Sequence, residues 1–147
     1  LAACNSMQDG FWIFDGNDFL LKRIDQNGNV LFQSENLFYL QEYVVDSVYL
    51  IEKGRRVYMF IPDIEVLEFD IFATYVKKFS IKTNPPYYID ENDLFYTKNR
   101  KPHRFDKLLI KQLNIPLPEY SGNPDMIYTT RDKLYILDES KINVYSR

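Results

Sequence analysis

Short apolar runs closed by turn residues dominate the chain. Phe11-Trp12-Ile13-Phe14 runs into Asp15-Gly16-Asn17-Asp18, and Val57-Tyr58-Met59-Phe60-Ile61 runs into Pro62-Asp63. Runs of this kind, rich in β-branched and aromatic residues and bounded by Gly, Pro, Asn and Asp, read as strands joined by hairpins. Amphipathic helix signals are nearly absent. The best candidate, Leu37 to Val45, has irregular apolar spacing and ends in β-branched Val44-Val45.

Four of the runs look alike: GFWIFD at Gly10–Asp15, RVYMFI at Arg56–Ile61, DLFYTK at Asp93–Lys98 and KLYILD at Lys133–Asp138. Measured from Phe11, Arg56, Asp93 and Lys133, the steps are 45, 37 and 40 residues. A period near ~40 residues with several short strands per unit is the signature of propeller blades. Each run is apolar at consecutive positions, which predicts a strand covered on both faces. A propeller supplies that setting, because each blade lies between two neighbours.

The pattern therefore predicts an all-β fold of β-propeller blades, each a four-stranded antiparallel unit. About four blades are expected, over residues 1–37, 38–81, 82–118 and 119–147. The predicted strands are Leu1–Asn5, Gly10–Asp15, Phe19–Asp25 and Val30–Asn36, then Val44–Glu52, Arg56–Ile61, Glu65–Asp70 and Tyr75–Ile81. Pro86–Asp90, Asp93–Lys98, His103–Asp106 and Leu109–Ile115 follow, and the chain closes with Asp125–Thr130, Lys133–Asp138 and Lys141–Ser146. Asn27-Gly28 supplies the positive φ angles that a tight hairpin requires. The fourth unit lacks its outermost strand, and Leu1–Asn5 is already used as the innermost strand of the first. The expectation is an incomplete ring with further residues missing upstream, and a chain that self-associates through uncovered blade faces and edges.

Composition changes this picture little. Across 147 residues, 46% are hydrophobic and 16% aromatic, with 12 Tyr and 11 Phe, a bias that suits half-buried pleated surfaces. A net charge of −3 gives no field that implies nucleic acid. No run of ~18 apolar residues is present, so no transmembrane helix is predicted. Cys4 is the sole cysteine, which excludes an internal disulfide and a cysteine-based zinc site.

The segment EVLEFDIFATYVKKFSI, Glu65 to Ile81, resembles a recurring blade in uncharacterised six-bladed β-propeller-like proteins of Bacteroidota. There a strand ending in Phe-Asp precedes a Phe-Gly-Thr-Tyr-type turn and a further strand. GFWIFDGNDFLLKRIDQNGNVLFQSENL, Gly10 to Leu37, resembles the preceding blade, and LYILDESKINVYS, Leu134 to Ser146, the closing one. Ala73 departs from the family's usual Gly; alanine at positive φ costs about 1 kcal/mol, so a different turn is expected there. The resemblance implies the fold and an extracytoplasmic setting, in the periplasm or cell envelope. It brings no catalytic residues.

Candidate chemistry is sparse. Asp25 to Asn29 clusters Asp, Asn and Gly, but Gly28 falls at the fourth position where a calcium loop needs it at the sixth. Hairpin turns account for these residues. His103 is the only histidine, and it lies among Arg100, Lys101, Arg104 and Lys107. This basic hairpin suits an anionic partner, or else a solvated edge whose charges discourage strand pairing. Asp15, Asp25, Asp70, Asp90, Asp106 and Asp138 recur at strand ends, as expected of side chains that cap turns. Trp12, Tyr58, Tyr96 and Tyr135 lie inside the apolar runs and read mostly as core. No Ser-His-Asp set or Gly-rich phosphate loop appears, and no cofactor is predicted.

Leu1-Ala2-Ala3-Cys4 fits the end of a lipoprotein signal, with lipid on Cys4, and fits equally an interior strand. Only six residues separate Cys4 from Phe11, which favours the strand. Three functions stay open. The first is a non-enzymatic propeller scaffold that binds a protein or cell-envelope component. The second is a metal-dependent hydrolase or lactonase with acidic and amide ligands drawn from several blades. The third is a lipid-anchored surface lipoprotein.

Overall fold

The computed structural model of the chain describes residues 1–43, 47–113, 115 and 122–146. Fifteen strands occur among them, grouped in four antiparallel sheets. The chain divides into two units, Leu1–Ile81 and Lys82–Arg147.

In the first unit, one sheet runs β1 (Ala2–Asn5), β2 (Phe11–Asp15), β3 (Leu20–Ile24) and β4 (Val30–Gln33) in chain order. A 3-10 turn at Phe38–Glu42 leads to a second sheet of β5 (Tyr49–Lys53), β6 (Arg56–Ile61), β7 (Glu65–Asp70) and β8 (Tyr75–Phe79). Strand alternation puts Trp12, Phe14 and Leu21 on one face of the first sheet, where they join Val57, Met59 and Leu67 of the second in one core. β1 runs beside β5. Glu52 on β5 ties the two sheets: its Oε2 accepts the Trp12 Nε1–H at 2.7 Å and the Met7 N–H at 3.0 Å.

The second unit repeats the plan. β9 (Asn84–Ile89), β10 (Asp93–Lys98), β11 (Lys101–Asp106) and β12 (Lys111–Leu113) form a third sheet. β13 (Met126–Thr129), β14 (Lys133–Asp138) and β15 (Lys141–Ser146) form a three-stranded fourth. Phe95 of β10 packs with Ile127, Leu134 and Ile136 of the fourth sheet, and β9 runs beside β13.

The recurring aspartates hold the turns. Asp15 Oδ1 accepts the Asn17 N–H, and Asp25 Oδ1 accepts those of Asn27 and Asn29. Asp70 does the same for Phe72 and Thr74, Asp90 for Asn92 and Asp93, and Asp106 for Leu108 and Leu109. These bonds satisfy amides that the sheet ladders leave unpaired at the bends. Asp138 departs from the series. Its Oδ1 accepts the Asn123 N–H at 3.3 Å, while Asp125 takes over the cap by accepting the Glu139 N–H at 2.7 Å.

Several boundaries differ from the sequence reading. The candidate helix is only the 3-10 turn, and β5 begins at Tyr49, with 44–46 outside the described residues. β12 is shorter than Leu109–Ile115 because the Asp106 cap curls Leu108 to Ile110 into a turn, with Ile110 at φ 50. Residues 114 and 116–121, across the expected third-to-fourth boundary, lie outside the description. Ala73 keeps the left-handed turn, at φ 65 rather than in a different bend. Its methyl is fully buried, which returns about 0.8 kcal/mol against the conformational cost.

Coverage on both faces holds for only part of the series. β6, β7 and β10 are buried at nearly every position. β2 and β14 alternate instead, with Trp12 and Phe14 or Leu134 and Ile136 buried and the residues between them more open. The four runs look alike in sequence, yet their burial differs.

Candidate functional site

A groove of about 330 Å³ opens in the first unit between the β4–β5 connection and the outer strands of the second sheet. Its lining is Glu35, Asn36, Leu37 and Tyr39 on one side, and Phe69, Tyr75 and Lys78 on the other. Phe69 and Leu37 are buried and give an apolar floor, whereas Tyr39 and Tyr75 stay 41% and 46% exposed. Strand alternation explains the second wall, since Phe69 pairs with Tyr75 across β7 and β8. Their rings meet edge to face, 6.1 Å apart at 77°.

The first wall is held by a buried acid. Tyr39 donates its hydroxyl to Glu65 Oε1 at 2.6 Å, and Lys78 Nζ lies 3.5 Å from Glu65 Oε2. Glu65 is only 6% exposed. Burial raises the Tyr39 pKa, and the hydrogen bond to Glu65 raises it further, so the phenol stays protonated and keeps donating. Asn36 donates its Nδ2–H to the Asp18 carbonyl, which fixes the connection against the first sheet. The result is two half-exposed tyrosine rings over an apolar floor, rimmed by Glu35, Asn36 and Lys78. Such a surface offers large contact area with polar edges at little cost in side-chain entropy.

The basic hairpin is arranged differently. Asn99 and Arg100 form its tight turn, both at positive φ, and Lys98 pairs with Lys101 across it. His103 stacks on Tyr96 at 5.7 Å and 18°, and its Nδ1 lies 2.9 Å from Gln112 Nε2. Burial lowers the His103 pKa; the Lys98 backbone bond opposes this and the Lys98 and Lys101 charges add to it. Arg104 Nε is ion-paired with Asp93 Oδ1 at 2.9 Å, and Lys107 Nζ donates to the Asp90 carbonyl at 2.9 Å. Arg100 borders a shallow cavity with Asp125, Asp138 and Glu139. Of the five residues, Arg100 and Lys101 project most freely, and the alternation of β11 sends His103 and Arg104 to opposite faces.

Cys4 sits inside β1, paired with Trp12. Burial raises its thiol to about 11, with the Glu52 backbone bond opposing and the Glu52 charge adding to the shift. Trp12, Tyr58 and Tyr96 are buried, and Tyr135 is half-buried. Among the described residues, no group of three or more His, Cys, Asp or Glu side chains converges as metal ligands would. No helix among them is long and apolar enough to cross a membrane. Tyr39, Glu65, Tyr75 and Lys78 are not among the residues that the sequence pattern singles out. The available signal was Tyr75 on an outermost strand and Phe38-Tyr39 in a connection, both places where large aromatics have no core to enter.

No protein-family model and no curated protein matches the chain. Among solved structures it is similar to the crystal structure of the computationally designed Ika4 protein, with a TM-score of 0.65 and 12% identity over 99% of this chain and 89% of that one. At that identity the likeness is one of fold alone.

Proposed function

We propose that the protein is a non-enzymatic β-propeller-like scaffold that binds a protein or cell-envelope component through the Tyr39–Tyr75 groove. The observation that carries this reading is the pair of half-exposed tyrosines, one anchored by buried Glu65 and one braced on Phe69, above an apolar floor. Preorganised aromatic contacts of this kind concentrate binding energy. The blade reading draws support from the ordered four-stranded sheets and from the neighbouring strands β1 and β5, and β9 and β13. The resemblance to six-bladed Bacteroidota proteins supplies the envelope setting.

The test is crosslinked capture from a bacterial envelope fraction with the wild-type chain and with the Tyr39→Ser/Tyr75→Ser variant. The expected result is a defined partner lost at least ~10-fold in the variant, as for two aromatic anchors. Equal capture by both chains, or no partner at any tested concentration, contradicts the proposal.

A further inference from the structure

Two sheets present apolar faces to solvent, and the chain's own repeat says what fits them. In the fourth sheet, Ile127, Leu134 and Ile136 face the core of the second unit. The opposite face holds two cross-strand rows, Met126–Leu137–Ile142 and Tyr128–Tyr135–Val144. Both rows are wholly apolar or aromatic, and Met126 and Ile142 are 57% and 66% exposed. An antiparallel sheet with one wet face normally turns polar residues to water. β15 does the reverse, turning Ile142 and Val144 outward and Asn143 toward the core face.

The first sheet's outer face is apolar along one row, where Phe11, Ile24 and Val30 lie side by side, while Ile13 in the next row pairs with Lys22, itself opposite Gln33. Aligning the recurring turn aspartates, Asp15 with Asp138, makes Trp12 and Phe14 the equivalents of Tyr135 and Leu137. It likewise makes Phe11 and Ile13 the equivalents of Leu134 and Ile136. Trp12 and Phe14 are buried in the core that the first sheet shares with the second, through Val57, Met59 and Ile61. Leu134 and Ile136 are buried against Phe95 of the third sheet. Each exposed face thus corresponds to a face that, three repeats along the chain, packs on a neighbouring sheet.

We propose that the exposed face of the fourth sheet docks on the exposed face of the first sheet of a second copy, head to tail, continuing the packing already present inside each unit. The contact is heterologous, joining two different patches, so copies close into a ring or extend into a chain according to the rotation between them. It is separate from the Tyr39–Tyr75 groove and stands whether or not that groove binds a partner.

Sedimentation velocity on residues 1–147 tests it with two blocked variants, Ile142→Lys/Val144→Lys on the fourth sheet and Phe11→Asp/Val30→Asp on the first. The wild-type chain is expected to sediment as a dimer or larger species. Each variant alone is expected to be a monomer, and an equimolar mixture to form one-to-one heterodimers through the two intact faces. A monomeric wild type overturns the proposal. So does a first-sheet variant that still dimerises by itself, which would mean that the fourth sheet pairs with its own kind. Thermal melts within a few degrees of wild type establish that the variants are folded; should the fourth-sheet variant melt early, Met126→Lys on the same face carries its arm.

Discussion

Trp12→Ala is expected to destabilise the first unit by about 3–5 kcal/mol, the range for deleting a fully buried aromatic side chain. Trp12 has no exposed surface and sits in the core shared by the first two sheets. Its Nε1–H also satisfies Glu52, so the variant leaves that carboxylate, among the described residues, with the Met7 N–H. Urea unfolding followed by circular dichroism reads the change, since the variant has no other tryptophan to report by fluorescence. Trp12→Phe separates the two contributions: it keeps most of the packing and loses the hydrogen bond, for a cost of about 1–2 kcal/mol. A loss below about 1 kcal/mol for Trp12→Ala would show that the two sheets do not share this core.

Gly10→Ala is expected to cost about 3 kcal/mol or more, combining left-handed strain with a backbone clash. Gly10 has φ +80, and an added Cβ would lie 2.0 Å from the Ile24 carbonyl oxygen and 3.1 Å from Asp25 Cα. Neither neighbour is the end of a flexible side chain, so β3 itself would have to shift. The surroundings resist that movement. Arg23 on β3 donates from its guanidinium to Gln8 Oε1 and to the Gln8 and Asp9 carbonyls, gripping the same turn. Gly28→Ala is the control, because Gly28 has φ +85 but nothing within 4 Å of the added carbon. It is expected to lose only about 1 kcal/mol. Equal losses at the two positions, read from the same urea curves, would show that the close approach at Gly10 carries no energy.

The strands and their order were legible because hairpin chemistry is local. GFWIFD, RVYMFI, DLFYTK and KLYILD each carry an apolar run, and aspartates mark the turns beside them. The same locality explains why five of the six recurring aspartates could be read as turn caps. Which faces are covered was not legible. Phe11–Asp15 and Arg56–Ile61 look alike in sequence, yet only the second is buried at nearly every position, and burial is set by what packs on a strand rather than by the strand's own residues. Arg104 and Lys107 read as part of a basic patch because the partners that hold them, Asp93 and the Asp90 carbonyl, lie across a strand or a turn. The groove was hidden for a similar reason. Tyr39, Glu65 and Tyr75 are far apart in the chain, and only the pairing of β7 with β8 and the path of the β4–β5 connection bring them together.

Five of the six recurring strand-end aspartates serve turn amides, and we propose that recognition through aromatic surface, rather than metal chemistry, is the protein's work. Asp15, Asp25, Asp70, Asp90 and Asp106 each spend an oxygen on backbone N–H groups two to four residues ahead. A resident divalent ion would require several such oxygens to converge on one point instead. The most direct measurement is the metal content, by mass spectrometry, of the chain purified without chelator and dialysed against metal-free buffer. The predicted result is less than about 0.1 equivalent of any divalent ion, because among the described residues no three His, Cys, Asp or Glu side chains converge on one point. Retention of about one equivalent, lost when the strand-end aspartates are replaced by alanine, would contradict the account and favour the metal-dependent hydrolase.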